Sequence, residues 1–90
     1  MNINVQKVTV EAVKTGVSVC AHEMRDSSKE LKSHCNTISS SWNDAKGQML
    51  KDIIDECCTS LNSAAESAEF CRQELAGMLE EMSRYDSVTF

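Results

Sequence analysis

The sequence predicts an all-α protein, an antiparallel hairpin of two long helices. Three observations support this fold class. The 90 residues include no proline and only three glycines, so little interrupts a helix. Apolar residues recur at spacings of three and four in both halves of the chain. A polar, serine-rich stretch over residues 39–44 separates the two periodic segments. We therefore expect helix 1 over about residues 10–41 and helix 2 over about residues 45–85.

The chain is long enough for one domain with a single thin core. Residues 1–90 are therefore expected to form one helical-hairpin domain. Its parts outside the helices are a short N-terminal arm over residues 1–8, a bend over residues 41–45 and a C-terminal tail over residues 86–90.

The N-terminal arm is predicted to be extended, because Ile3, Val5 and Val8 alternate with polar residues. Thr9 follows as a candidate N-cap, since its hydroxyl can accept a free backbone N–H at a helix start. Helix 1 is therefore predicted to begin near Val10.

Each helix carries a predicted apolar stripe. In helix 2 the spacing alternates between four and three, which is the a/d pattern of a coiled coil over five heptads. In helix 1 the stripe is less regular and weak helix formers surround it, so this helix must depend on packing. The helix 1 stripe is Val10, Val13, Val17, Cys20, Met24, Ser27, Leu31, His34 or Cys35, Ile38 and Trp42. The helix 2 stripe is Leu50, Ile54, Cys57, Leu61, Ala64, Ala68, Cys71, Leu75, Met78, Met82 and Tyr85.

The bend is predicted from residue types that end one helix and start another. Serine hydroxyls compete for backbone groups, and either Asn43 or Asp44 can cap the second helix. Trp42, the one tryptophan, lies at this corner. It can plug the end of the seam or serve in recognition, and the two roles are compatible. We take Trp42, Asp44 and Gly47 as the bend motif.

Helix 2 has more apolar surface than a two-helix hairpin can bury, which predicts a partner face. Its candidate residues are Met49, Ile53, Phe70 and Leu79. Small residues at Ala64, Ala65 and Ala68 predict a close-packing waist where a neighbouring helix approaches. Both features favour a four-helix bundle or another coiled-coil assembly.

Composition argues against several function classes. The net charge of −5 leaves no basic surface for nucleic acid. No apolar run approaches the roughly 20 residues of a membrane span, and no signal-peptide pattern is present. We expect a cytoplasmic protein without direct membrane insertion, which, if secreted, leaves without a cleaved signal peptide. Without a phosphate loop or a concave carboxylate site, no enzyme activity and no cofactor are expected.

The five cysteines are an odd number, so one chain cannot pair all of them. Most are expected to act as small buried hydrophobes. Nearly constant residue sums suggest Cys20–Cys71 and Cys35–Cys57 as cross-links, although the predicted bend offsets both pairs along the helix axis. The adjacent Cys57 and Cys58 allow an intermolecular thiol sensor. Cysteine and histidine spacing does not support a zinc site, so no metal is expected.

The bend and its surroundings resemble the WXG100-type proteins, the small helical hairpins of bacterial type VII secretion. The resemblance rests on Val8-Thr9-Val10-Glu11 ahead of helix 1, a central tryptophan after serine, and a longer heptad-bearing second helix. Asp44 stands two residues after Trp42, where the namesake motif has glycine. Trp42-Asn43-Asp44-Ala45-Lys46-Gly47 is similar to divergent members found beside LXG-type toxins.

This resemblance implies a secretion partner. Such a hairpin binds the helical N-terminal domain of an LXG-type toxin, a paralogous hairpin or itself, and acts as targeting factor, chaperone or co-secreted partner. The family's C-terminal signal, Tyr-x-x-x-Asp/Glu, is incomplete here, because Thr89 stands four residues after Tyr85. Tyr85 is thus a candidate remnant of that signal. The alternative is a coiled-coil oligomerisation module with no secretory role.

Overall fold

The computed structural model describes residues 3–88, with side-chain burial for residues 4–85. Two α-helices, α1 over Ile3–Ser41 and α2 over Ala45–Val88, pack against each other as an antiparallel hairpin. The hairpin measures 71 × 16 × 13 Å. The all-α hairpin predicted from the sequence is confirmed. Residues 1–2 of the predicted arm and residues 89–90 of the predicted tail lie outside the described residues.

Helix α1 begins earlier than predicted. It is helical from Ile3, so the extended arm over residues 1–8 is wrong for the described part of that segment. Thr9 lies inside the helix, where its hydroxyl donates to the Val5 carbonyl at 3.0 Å rather than capping an N-terminus. The alternation of Ile3, Val5 and Val8 was a weak strand signal, because it has no second strand to pair with. Helix α2 runs past Tyr85 to Val88.

The burial pattern divides each helix into rows of residues spaced by seven. The "buried row" lies deepest between the helices, the "middle row" is half-buried, and the "outer row" is mostly exposed. In α1 the buried row is Lys14, Ala21, Ser28 and Cys35, the middle row Val10, Val17, Met24, Leu31 and Ile38, and the outer row Val13, Cys20, Ser27, His34 and Ser41. In α2 the buried row is Lys51, Cys58, Ala65, Arg72 and Leu79, the middle row Ile54, Leu61, Ala68, Leu75 and Met82, and the outer row Leu50, Cys57, Ala64, Cys71, Met78 and Tyr85.

The core of the hairpin is small. Ala21 and Ala65 are fully inaccessible, and Cys35, Cys58 and Ser28 are nearly so. The Cys58 thiol donates to the Ser28 carbonyl at 3.5 Å across the seam. Because these side chains are short, the two backbones can approach closely along this row.

About half of the residues in each predicted stripe therefore lie one position before the residues that are buried between the helices. The middle rows were predicted correctly, but Val13, Cys20 and Ser27 are exposed, and Lys14, Ala21 and Ser28 take their places in the seam. In α2 the exposed members are Cys57, Ala64, Cys71, Met78 and Tyr85, and the seam instead holds Cys58, Ala65, Arg72 and Leu79. His34 and Cys35 were predicted as alternatives for one place in the helix 1 stripe. Cys35 is buried and His34 is exposed. Hydrophobic periodicity misidentified the seam because lysine, serine and arginine occupy it.

Candidate functional site

The outer and middle rows of both helices lie on the same side of the hairpin. From the buried row, the middle row is displaced by about 50° around the helix and the outer row by about 100° in the same sense. Since the helices run in opposite directions, an identical rotation in each leads to one common side. We call the surface formed by the four middle and outer rows the open face.

The open face carries no Asp, Glu, Lys or Arg at any of its positions, although 26% of the chain is charged. Its middle consists of ten half-buried apolar side chains, five from each helix. Its edges include Val13 at 49% exposure, Met78 at 46% and Tyr85 at 73%. A continuous uncharged strip of this kind typically marks an interaction surface.

The opposite side of the hairpin is polar. Its two rows, adjoining the buried rows on the far side from the open face, include Glu11, Ser18, Arg25, Lys32 and Ser39 from α1, and Gln48, Asp55, Asn62, Glu69 and Ser83 from α2. Arg25 contacts Glu69 across the helices at 3.5 Å, and Glu69 also pairs with Arg72 at 3.1 Å. This side closes the hairpin with polar contacts, each worth little where it is exposed.

The bend is built from the predicted motif. The Asp44 carboxylate accepts the Gly47 backbone N–H at 2.9 Å, which makes Asp44 the N-cap of α2. This contact, followed by a hydrogen bond from the Trp42 side chain, holds the pKa of Asp44 below its usual value. Asn43, the other candidate cap, instead accepts the Gln48 side-chain amide at 3.2 Å.

Gly47 is buried against Trp42, and a Cβ at Gly47 would collide with the Trp42 carbonyl oxygen. Asp44 thus caps α2 and accepts from Trp42, and the close approach to Trp42 requires a glycine at position 47. Trp42 remains 43% exposed, so part of its ring is accessible at the bend end.

The end of α1 is fixed by its serines. The Ser40 hydroxyl donates to the Thr37 carbonyl at 2.8 Å, and Ser41 donates to the Thr37 and Ile38 carbonyls at 3.3 Å. The Trp42 backbone N–H adds a contact to the Ile38 carbonyl at 2.7 Å. The hydroxyls supply partners for carbonyls of the last turn, so the helix can stop there.

The residues predicted as a partner face do not form one surface. Met49, Ile53 and Phe70 are exposed at 64%, 57% and 65%, whereas Leu79 belongs to the buried row. Met49 and Phe70 share a row that points away from both α1 and the open face, and Ile53 borders the open face beside Leu50. Of the predicted waist, Ala65 is buried against α1, Ala68 is in the middle row, and Ala64 is exposed on the open face.

All five cysteines, which lie within the described residues, are free thiols. Cys35 and Cys58 are buried in the seam. Cys20, Cys57 and Cys71 are exposed, and each belongs to an outer row. The suggested cross-links within one chain are therefore absent. Among residues 4–85, whose side chains the structure describes, no three metal-binding side chains gather at one place.

The open face was missed as a unit because sequence reasoning assigned its outer rows to the hairpin seam. The signal that could have found it is that two further rows of each helix, beside the buried row, hold no Asp, Glu, Lys or Arg. A hairpin seam needs two rows, and a third row indicates contact with a further helix.

Comparisons with protein-family models, with curated proteins and with solved structures give no match. Within the described residues, neither helix is long and apolar enough to cross a membrane. The two-helix hairpin of 90 residues is consistent with the shape of a WXG100-type protein.

Proposed function

We propose that this chain is a non-enzymatic binding protein whose open face packs against helices of a partner. The proposal rests on the open face, where two half-buried apolar rows lie between two mostly exposed rows. None of these four rows holds an Asp, Glu, Lys or Arg. Covering this face would bury ten apolar side chains more fully and produce a four-helix arrangement.

The structure of the bend is the reason for proposing a role in type VII secretion. Trp42, Asp44 and Gly47 form one hydrogen-bonded and close-packed unit at the corner of the hairpin. This unit is the part of the chain that resembles divergent WXG100-type proteins beside LXG toxins. In this proposal the open face receives the helical N-terminal domain of such a toxin or a sister hairpin, and the chain serves as targeting factor, chaperone or co-secreted partner.

The alternative is a coiled-coil oligomerisation module without a secretory role. The heptad rows favour it as much as they favour a secretion partner, because both need a covered open face. The two differ in whether the partner is a toxin domain.

Co-expression with the helical N-terminal domain of an LXG-type toxin tests the proposal. We expect the tagged chain to capture that domain. Ala64→Lys, which places a charge in an outer row, should abolish capture, and Ser63→Lys, one residue outside the open face, should leave it intact. Equal capture by both variants would rule out the open face as the binding surface. Absence of capture by the unaltered chain would favour the oligomerisation module.

A further inference from the structure

Deep burial in this hairpin stops well short of its free end, the end opposite the bend. The Cys58 thiol contacts the Ser28 carbonyl, and Ala21 and Ala65 lie one step of seven further from the bend. Beyond this alanine layer, residues 4–20 of α1 and residues 66–85 of α2 are half-buried or exposed throughout. All the buried residues of the range 4–85 therefore lie between the alanine layer and the bend.

Charged residues occupy the seam at the free end. Seven residues before Ala21, the buried row of α1 has Lys14, which is level with Arg72 of α2 because steps of seven match in the two helices. Beside them a groove of about 480 Å³ is lined by Lys14 from α1 and by Ala76 and Leu79 from α2. Less apolar surface is therefore buried between the helices here than near the bend.

The first part of α1, residues 3–20, is called the valine segment. Nine of its 18 residues are Val, Ile or Thr, compared with two of the 21 residues over 21–41. Such β-branched side chains lose rotamer freedom in a helix, and Gly16 adds backbone freedom that a helix must remove. The valine segment therefore depends on packing against α2 to remain helical.

The apolar side of the valine segment contributes little to that packing. Val5, Val8 and Val19 are exposed at 62%, 67% and 51%, whereas Lys7 and Lys14 occupy half-buried positions towards α2. The three valines are in water whether or not the segment contacts α2. Separation of the two helices at the free end therefore costs little apolar burial.

The opposing part of α2 does not share this weakness. Of the 20 residues over 66–85, 14 are Glu, Ala, Leu, Met, Arg or Gln, which are good helix formers, and none is Val, Ile or Thr. Glu69 and Arg72 add an ion pair at 3.1 Å within the helix. This part of α2 can therefore remain helical when α1 leaves it.

We propose that the valine segment unfolds from α2 as a unit, while α2 and the part of the hairpin between the alanine layer and the bend stay folded. Partial opening of this kind leaves the buried residues in place. It uncovers the side of α2 that carries Ala76 and Leu79, so the free end acts as a reversible clasp. The inference goes beyond the proposed function, because it concerns the chain without a partner.

Limited digestion with trypsin tests the opening, because a protease cleaves the transiently opened chain. In the closed hairpin Lys29 and Lys32 are exposed and Lys14 is half-buried, so side-chain exposure alone predicts first cleavage after Lys29 or Lys32. Opening of the valine segment predicts first cleavage after Lys7 and Lys14, at similar rates because one event exposes both. Mass spectrometry should then show a resistant fragment that begins at Thr15.

Two glycine substitutions provide a matched pair. A Cβ at Gly16 or at Gly77 meets open space, so alanine favours the helix at either position without a clash. Gly16→Ala should slow cleavage after Lys14 about fivefold, because its gain is lost whenever the valine segment unfolds. Gly77→Ala should leave that rate unchanged, because α2 is helical in the open and closed forms. Hydrogen exchange of residues 4–19, which is independent of protease preference, should give the same ratios.

Three results would overturn the inference. The first is initial cleavage after Lys29 or Lys32, and the second is cleavage after Lys7 while Lys14 resists, which indicates fraying of the last turn only. The third is equal slowing by Gly16→Ala and Gly77→Ala, because the whole hairpin would then unfold before cleavage. Capture of a partner by the open face is measured separately, so the inference and the proposed function can fail independently.

Discussion

The two sides of the hairpin use the same helices in opposite ways. On the polar side, Arg25 of α1 pairs with Glu69 of α2, and Glu69 also contacts Arg72 of its own helix. On the open face, the middle rows present Val17, Leu31 and eight other apolar side chains that one neighbouring helix covers only in part. The buried row between the two sides is composed largely of small residues.

This difference supports the proposal that a partner covers the open face. A helix that needed only one neighbour would have two apolar rows and a polar remainder. Here each helix has, beside its buried row, a middle row and an outer row without Asp, Glu, Lys or Arg, and these rows span one side continuously.

The largest effect is expected from a charge on the open face. If the chain pairs with itself through the open face, Ala64→Lys should weaken this self-association by about 3 kcal/mol or more, roughly a hundredfold in Kd, because it buries an unpaired ammonium between the two hairpins. Ser63→Lys adds the same charge one residue away and should change the Kd little. Dilution calorimetry measures both constants. Equal effects of the two variants would mean that the two sides of α2 do not differ in function.

A second comparison uses two adjacent alanines in opposite environments. Ala65 is fully inaccessible in the seam and Ala64 is exposed. Ala65→Leu should destabilise the hairpin by about 1–3 kcal/mol through overpacking, and Ala64→Leu should not destabilise the isolated hairpin. Urea unfolding at concentrations where the hairpin is monomeric gives both free energies. A larger loss for Ala64→Leu would reverse our assignment of the rows.

The bend is predicted to be less tolerant than the helix interiors. Gly47→Ala places a Cβ against the Trp42 carbonyl, so the backbone must shift, at a cost of about 1–2 kcal/mol. Gly77→Ala has open space around its Cβ and should stabilise α2 by about 0.5–1 kcal/mol. Thermal unfolding followed by circular dichroism should therefore shift in opposite directions. A stabilising Gly47→Ala would contradict the close approach.

The smallest expected effect is on the stability of the fold at acidic pH. The pKa of Asp44 is lowered by the Gly47 N–H and by the Trp42 side chain, so its carboxylate stabilises the fold above the ordinary value of 3.8. That contribution is lost as the pH falls from 3.8 towards the lower folded-state pKa. Asp44→Asn keeps a capping oxygen without this titration, so its melting temperature should depend less on pH in that window. Parallel curves for the two proteins would remove Asp44 as a source of acid sensitivity.

The fold was largely predictable, and the arrangement of its surfaces was not. The absence of proline and the serine-rich stretch predicted both helices, and Asp44 was one of the two predicted caps. The seam was misassigned because Lys14, Ser28 and Arg72 are in or beside buried positions where their long stems or small size fit. The start of α1 was missed because the alternation of Ile3, Val5 and Val8 with polar residues indicated an extended segment, although no second strand is available to pair with it. Periodicity gives the spacing of the rows, but it does not say which neighbour each row contacts.

Sedimentation equilibrium of the reduced full chain tests the central claim, that the open face is a binding surface, by asking whether the chain pairs with itself. The chain mass is 10.0 kDa, and we predict twice this mass at micromolar concentrations, with dissociation on dilution and upon Ala64→Lys substitution. A mass of 10.0 kDa at every concentration, together with a sharp melt and no capture of a toxin domain, would contradict the account, because the open face would then be stable while uncovered.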